Sequence, residues 1–181
     1  MGTIRPNFFS GKLLTADDLK LEQDYFLDKI RLHNRCLHGY GVVCGLGIAV
    51  GDGASPVVKI EPGCAIDGFG NLIEVAETVE ARLNPRVEQN AYYILLRYKE
   101  CPTDEVPALL EPCQSDSEAT QPNRIQETFE IYFEEHKPVA DRKRQAGQKT
   151  CGEPHPLAIG RLRRVRKDWV LDRRFARPRC K

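Results

Sequence analysis

The sequence predicts an α+β protein in which a long N-terminal helix packs on a mainly antiparallel β-sandwich or open barrel with long loops. Two observations predict this class. Apolar residues recur at helical spacing between Ala16 and His38, and the chain after them alternates short apolar or β-branched runs with glycine-rich turns. At 181 residues the chain is long enough for one well-packed domain and too short for two ordinary ones. We therefore expect an extended arm over residues 1–14, a single domain over residues 15–175, and a basic C-terminal segment over residues 161–181.

Signals at both ends define the predicted helix. Thr15 is followed three residues later by Asp18, the spacing of a capping box in which each residue satisfies a backbone N–H at the helix start. Gly39 can adopt the left-handed backbone that ends a helix. These signals predict a helix of about six turns over residues 16–38.

The predicted helix has two apolar faces. At about 100° per residue, one narrow stripe, which we expect to face the core, contains Leu19, Phe26, Ile30 and Leu37. A second apolar face lies well round the helix and contains Leu21, Tyr25, Leu32 and Cys36. A helix with two such faces needs two neighbours. Either the second neighbour is another subunit or a partner, or both faces lie in one core.

Short apolar runs separated by turn residues predict the β-core. The block from Gly41 to Val75 is predicted to form a β-meander that ends in a tight hairpin with arms at residues 64–66 and 72–75. The run AYYILLRY is nearly continuous in apolar and aromatic residues and predicts a central strand over residues 91–98. Further strands are predicted at residues 128–134, 157–165 and 169–171.

Two polar segments, residues 101–123 and 137–156, are predicted to be long loops. The first holds Cys101 and Cys113 and the second holds Cys151 and His155, so three thiolates and an imidazole can converge on a tetrahedral zinc ion. Such a structural zinc would staple the loops, since four protein ligands leave no open position for catalysis. A Cys101–Cys113 disulfide and free thiols are the alternatives, because the seven cysteines include no C-x-x-C pair.

Charge is distributed unevenly along the chain. Residues 161–181 hold ten basic and two acidic residues, a net charge of +8, whereas the rest holds 17 basic and 24 acidic residues, a net charge of −7. We expect the basic segment, through Arg173, Arg174 and Arg177, to dock on acidic protein surface rather than on nucleic acid. No run approaches the roughly 18 apolar residues of a membrane span, and the N-terminus lacks the features of a signal peptide. We therefore expect synthesis in the cytoplasm.

Motifs of the common enzyme classes are missing from the sequence. It has no P-loop, no G-x-S-x-G, no H-E-x-x-H and no glycine-rich dinucleotide fingerprint. Asp67 lies beside glycine in a predicted turn, and His33 and His38 are five residues apart, a spacing that does not stack two side chains on one α-helical face. We expect structural roles for all three, and neither catalysis nor a cofactor other than the structural zinc.

Two blocks of the sequence carry a family resemblance: NFFSGKLLTADDLKLEQDYFLDKIRLHNRCLHGYGVVCGLGIAV and VKIEPGCAIDGFGNLIEV. With the later RYKECPTDEVP and RIQETFEI segments, residues 5–135 resemble a family of small proteins encoded beside phage-tail-like contractile injection systems and related tailed-particle baseplates. The resemblance implies a structural, non-enzymatic part of such a particle. The basic C-terminal segment is less similar to that family.

The sequence thus predicts a structural subunit or adaptor near the baseplate or the fibre attachment, in an oligomer or in several copies, and finally part of an assembled particle that can lie outside the cell. We expect the arm and the second helix face to contact neighbouring subunits through Phe8, Phe9, Leu21, Tyr25 and Leu32. One alternative is a metal- or glycan-binding module that uses the two long loops. A hydrolase with dispersed catalytic residues is another, and nothing in the linear sequence supports it.

Overall fold

The computed structural model describes residues 3–107, 120–138 and 156–180. It contains one α-helix, one π-helical turn and ten strands. In chain order these are α1 (Ala16–His33), the π-helical turn (Asn34–His38), β1 (Gly41–Gly45), β2 (Ile48–Val50), β3 (Val57–Ile60), β4 (Gly63–Ile66), β5 (Leu72–Val75), β6 (Val79–Arg82), β7 (Ala91–Pro107), β8 (Thr120–Glu134), β9 (Leu157–Val165) and β10 (Asp168–Leu171). The strand pairs are antiparallel, so the predicted α+β class with mainly antiparallel sheets is confirmed.

The helix begins as the sequence predicts and ends earlier. The Thr15 hydroxyl accepts a hydrogen bond from the Asp18 backbone N–H at 3.1 Å, and the Asp18 carboxylate accepts one from the Thr15 N–H at 3.2 Å. This is the capping box expected from the sequence. The α-helix stops at His33 after 18 residues, and the chain continues as the π-helical turn up to Gly39. The prediction of one long helix to residue 38 is therefore wrong in its length.

The strands between Gly41 and Val75 belong to two sheets. β1, β4 and β5 form one three-stranded sheet in the order β1–β4–β5, and β2, β3 and β6 form another in the order β2–β3–β6. The predicted hairpin is confirmed as β4 and β5, but the prediction of a single meander is wrong. Gly45 and Leu46 both have positive φ angles, +62° and +55°, so the backbone turns out of the first sheet before β2 begins.

The third sheet has the order β10–β9–β7–β8, so β7 is central as predicted. β7 and β8 are longer than predicted, because they remain paired from Cys101 opposite Gln126 to Pro107 opposite Thr120. The prediction of a loop over residues 101–123 is therefore wrong at both ends of that range. This part of the ribbon is largely exposed, so its polar composition is compatible with strand pairing. Residues 108–119 and most of the second predicted loop, residues 139–155, lie outside the described residues.

The core lies between the sheets. It is formed by aliphatic and aromatic side chains from β1, β3, β4, β5, β7, β9 and β10 and from the connections between strands, including Leu46, Ile60, Ile73, Leu83, Ile94, Leu96, Ile159, Leu162 and Trp169. None of the 18 residues of α1, all within the described part of the chain, is buried. The prediction that the stripe of Leu19, Phe26, Ile30 and Leu37 faces the core is therefore wrong.

The basic C-terminal segment is built into the fold. Its first residues form the end of β9 and the whole of β10. The chain then runs back to β1, where the Val42 N–H donates to the Pro178 carbonyl at 2.9 Å and the Cys180 N–H donates to the Val42 carbonyl at 3.2 Å. Arg179 thereby forms a parallel bridge with Val42. This segment covers the free edge of β1 instead of extending from the domain as a separate tail.

Candidate assembly surface

The tight turn between β4 and β5 forms a socket for the end of the helix. Asp67 is 2% exposed, and its carboxylate accepts hydrogen bonds from the backbone N–H groups of Phe69 and Asn71 at 2.8 and 2.9 Å and from the Asn71 side-chain amide at 2.8 Å. An aspartate that bonds its own downstream backbone fixes a turn. The predicted structural role of Asp67 is therefore confirmed, and the turn is held rigidly from within.

Three polar residues at the end of the helix bind this socket. Arg31 donates from Nε to Asn71 Oδ1 at 2.7 Å, Asn34 donates from Nδ2 to the Gly70 carbonyl at 2.9 Å, and Arg35 donates to the Phe69 carbonyl at 2.9 Å. Both guanidinium groups also lie over the Phe69 ring, 5.5 and 5.6 Å from its centroid. The helix is thus anchored to the β-core by polar contacts at its C-terminal end.

Gly70 permits this close approach. Its φ is +95°, and a Cβ atom at this position would clash with the Arg31 carbonyl oxygen and lie 2.9 Å from the carbonyl carbon. Any other residue would therefore push the helix away from the turn and would also strain the backbone. The G-F-G-N end of the hairpin sequence is required for helix docking as well as for turning the chain.

Beyond its anchored end, the helix leaves large apolar side chains uncovered. Leu19, Phe26, Ile30 and Leu37 are 54–61% exposed, with Phe26 at the lower limit and Leu37 at the upper. The arm before the helix adds Ile4, Phe8, Phe9, Leu13 and Leu14, which are 50–83% exposed. We call these nine residues the arm–helix surface. A monomeric soluble protein rarely exposes so many large apolar side chains on one continuous stretch of chain, so a surface of this kind is typical of a contact site.

The two apolar faces of the helix differ in exposure, although the polar anchor lies between them. At about 100° per residue, Arg31, Asn34 and Arg35 fall between the two apolar faces of the helix. The first stripe is the one that stays exposed. The second face is better covered: Leu21 is 39% exposed, and Tyr25 and Leu32 are half-buried.

The residues predicted to contact neighbours are divided by the structure. Phe8 and Phe9 are exposed, at 50% and 65%, and belong to the arm–helix surface. Sequence reasoning chose the second helix face for the remaining contacts, whereas the first stripe is the more accessible one. Both stripes were visible as periodic apolar residues, but periodicity cannot tell which stripe the protein itself covers.

The predicted contact residues of the basic segment also differ from one another. Arg173 and Arg174 are exposed, as a contact role requires. Arg177 is half-buried and donates to the Leu46 carbonyl at 2.8 Å, so it stabilises its own chain.

The zinc prediction is mostly outside the described residues. Cys101 lies half-buried in β7, whereas Cys113, Cys151 and His155 fall in the ranges that the structure does not describe. Within the described ranges, no cluster of three or more His, Cys, Asp or Glu side chains is arranged to hold a metal ion. The four-ligand zinc site stays a prediction.

Two side-chain pairs were not foreseen. Cys44 and Cys64 face each other across β1 and β4, both as free thiols, and burial followed by the neighbouring Cys44 raises the pKa of Cys64. His33 and His38 have ring centroids 5.5 Å apart. The expectation that these histidines do not stack is wrong, because a π-helical turn brings residues five apart onto one side.

The fold is shared with chains in structures of the type VI secretion system baseplate and of TssK. A chain in the baseplate complex from the type VI secretion system matches with a TM-score of 0.56 and 14% identity over 98% of this chain and 42% of that chain. A chain in the TssK-TssF-TssG baseplate subcomplex, determined by cryo-electron microscopy, matches with a TM-score of 0.55 and 14% identity over 97% of this chain and 62% of that chain. The crystal structure of TssK matches with a TM-score of 0.51 and 11% identity over 94% of this chain and 41% of that chain.

These likenesses are to parts of longer proteins, since the chain spans between about two fifths and three fifths of the chains it matches. Comparison with protein-family models and with functionally characterised proteins finds no match. None of the helices in the described ranges has the length and apolar character needed to cross a membrane. At this level of identity the comparisons establish a common fold.

Proposed function

We propose that this protein is a structural subunit or adaptor of a contractile, phage-tail-like particle, placed near the baseplate or the fibre attachment, and that it acts by assembly rather than by catalysis. The observation that carries the proposal is the arm–helix surface. An 18-residue helix with no buried side chain keeps an apolar stripe that its own β-core does not use. Such a stripe is explained if another subunit covers it.

The exposed apolar stripe supplies part of the free energy that assembly needs. Full burial of a Leu, Ile or Phe side chain contributes about 1.5–3 kcal/mol, so covering the exposed half of each stripe residue contributes roughly half of that. Leu19, Phe26, Ile30 and Leu37 together therefore offer about 3–6 kcal/mol before the arm is counted. The cost of association is of similar size, so the arm residues are needed for a stable contact.

The shared fold also supports a role in particle assembly. The matching structures are those of a type VI secretion baseplate complex, a TssK-TssF-TssG baseplate subcomplex and TssK. By analogy of fold, this chain would have other particle subunits as its partners, be present in several copies, and be made in the cytoplasm before incorporation into the particle. Its own sequence adds the resemblance over residues 5–135.

The alternative is a metal- or glycan-binding module. Its zinc version depends on Cys113, Cys151 and His155, all outside the described residues, together with Cys101. No contact among the described residues favours it over assembly. The same preparation can test it, because metal analysis of the purified chain reports bound zinc directly.

Paired substitutions test the assembly proposal. Phe26→Glu with Ile30→Glu places two charges on the uncovered stripe without touching the core, because both side chains are more than half exposed. We expect this variant to fold normally and to be lost from the fast-sedimenting particle fraction of the producing cells. Val87→Glu is the matched control, because Val87 is 87% exposed and lies in the connection between β6 and β7. If the double variant sediments with particles as the wild type does, the stripe is not an assembly contact.

A further inference from the structure

A second feature, separate from the arm–helix surface, lies between β9, the end of β10 and the residues that follow β10, 172–179. Here the surface forms an open cavity of about 460 Å³. Its apolar lining comes from Ile48, Ile159, Leu171 and Phe175. The size and the mixed walls are those of a site for a side chain or a short peptide segment rather than a packing defect.

Four arginines line the same cavity, Arg161, Arg173, Arg177 and Arg179, together with one acidic residue, Asp172. Arg161 approaches Asp172 at 3.4 Å, and Arg177 is bonded to a backbone carbonyl, which carries no net charge to offset it. Arg173 and Arg179 are exposed at the rim. The cavity therefore carries a net charge of about +3 on one Asp and four Arg side chains.

One donor in this cavity lacks an acceptor. Among the described residues, Arg161 Nε is a buried side-chain nitrogen with no hydrogen-bond partner. Its guanidinium is held in place by Asp172 and by the Tyr93 ring, whose centroid is 5.5 Å away. The rest of the group is accessible, since the Arg161 side chain is 39% exposed, so its guanidinium can pair with an anionic ligand in the cavity.

We propose that this cavity binds a carboxylate side chain of an acidic segment in a protein partner, with an apolar residue of the same segment seated against Ile48 and Leu171. Guanidinium groups bind carboxylates through paired hydrogen bonds, and the apolar wall matches the aliphatic part of such a segment.

The cavity favours a carboxylate of a protein over a nucleic acid. Apolar residues line the cavity beside its arginines, and a segment of protein can place an apolar side chain next to its carboxylate. A strand of nucleic acid is bound along an open groove with stacked bases, whereas the apolar part of this cavity is aliphatic apart from Phe175. The proposal does not depend on the arm–helix surface, because none of the cavity residues belongs to the arm or α1.

A peptide titration tests the proposal on the full chain. The probe is a fluorescein-labelled peptide of alternating glutamate and leucine, and its counterpart has glutamine at every glutamate. We expect the acidic peptide to bind, and Arg173→Gln combined with Arg179→Gln to weaken binding at least about tenfold, since each lost charged hydrogen bond has that order of effect. Arg163→Gln is the matched control, because Arg163 is an exposed arginine of β9 outside the cavity.

Each outcome of the titration decides the proposal. Equal binding of the glutamine peptide would overturn it, because binding would then depend on the apolar residues of the peptide alone. Equal weakening by Arg163→Gln would also overturn it, because binding would then depend on the overall positive charge of the protein. Tighter binding of a single-stranded oligonucleotide or of inorganic phosphate at the same cavity would also overturn it. Trp169 fluorescence confirms that each variant is folded, since this side chain is 3% exposed in β10 beside the cavity strands.

Discussion

Gly70→Ala should detach the helix from the β-core while leaving the β-core folded. The new Cβ atom would overlap the Arg31 carbonyl group, so the helix end must move by about 1 Å to restore a normal van der Waals separation. A displacement of that size stretches the Asn34–Gly70 hydrogen bond of 2.9 Å beyond hydrogen-bonding distance. The bonds that Arg31 and Arg35 make to the same turn are displaced with it.

The magnitude follows from those contacts. Three hydrogen bonds at about 1 kcal/mol each give about 3 kcal/mol, and an alanine at positive φ adds about 1–2 kcal/mol of backbone strain. The substitution therefore costs about 4–5 kcal/mol in all, of which about 3 kcal/mol is lost from helix docking and the rest is strain in the turn. Gly53→Ala is the matched control: its φ is +101°, and no atom lies within 4 Å of its new Cβ, so it carries the strain without the clash.

Hydrogen–deuterium exchange at residues 31–39 measures docking, and Trp169 fluorescence during denaturation measures the β-core. The clash-dependent part of the effect, about 3 kcal/mol, corresponds to exchange at the helix end about 100-fold faster in Gly70→Ala than in Gly53→Ala. The denaturation of the core, where Trp169 packs against Tyr92 at 5.4 Å, should change little between the two variants. Unchanged exchange in Gly70→Ala, or an equal change in Gly53→Ala, would refute the account of the socket.

Two further predictions concern titrating groups. At neutral pH, iodoacetamide should modify the exposed Cys36 faster than Cys64, because burial raises the pKa of the Cys64 thiol and lowers its thiolate fraction. Peptide mass mapping measures both rates. Equal rates would contradict the described burial of Cys64. The hydrogen bond from Lys12, followed by those from Thr15, lowers the pKa of Asp18 below its ordinary value. The Asp18 carboxylate therefore stabilises the helix start fully at a pH above the ordinary pKa, and this stabilisation is lost as the pH falls through the lowered pKa. Protection of residues 16–20 against exchange, taken relative to the intrinsic exchange rate at each pH, should therefore fall in acid in the wild type and not in Asp18→Asn. The same fall in both would show that Asp18 does not control it.

Local signals in the sequence were reliable where a residue acts on its own neighbourhood. The Thr15 and Asp18 capping box, the Asp67 turn and the central position of β7 were all predictable, because capping geometry, turn chemistry and a continuous apolar run each have a short-range cause. The length of β7 was not, since an exposed two-stranded ribbon needs no apolar residues.

Placement of the helix depended on contacts that periodicity does not encode. The apolar stripe through Phe26 was correctly recognised as a stripe, and it was assigned to the core because apolar residues usually lie there. The anchor is instead formed by the polar side chains of Arg31 and Asn34, which bind a turn 40 residues away. The helix can approach this turn closely because Gly70 has no side chain. The cavity arginines were visible only as charge, because their convergence depends on the pairing of β9, β10 and the C-terminal segment.

The most direct test of the assembly account is hydroxyl-radical footprinting of the chain in isolated form and in purified particles from the cells that produce it. Phe26 and Ile30 should be oxidised readily in the isolated chain and strongly protected in the particle, whereas Val87 should react similarly in both. Equal oxidation of Phe26 and Ile30 in both states, or absence of the chain from the particles, would contradict the claim that a neighbouring subunit covers the arm–helix surface.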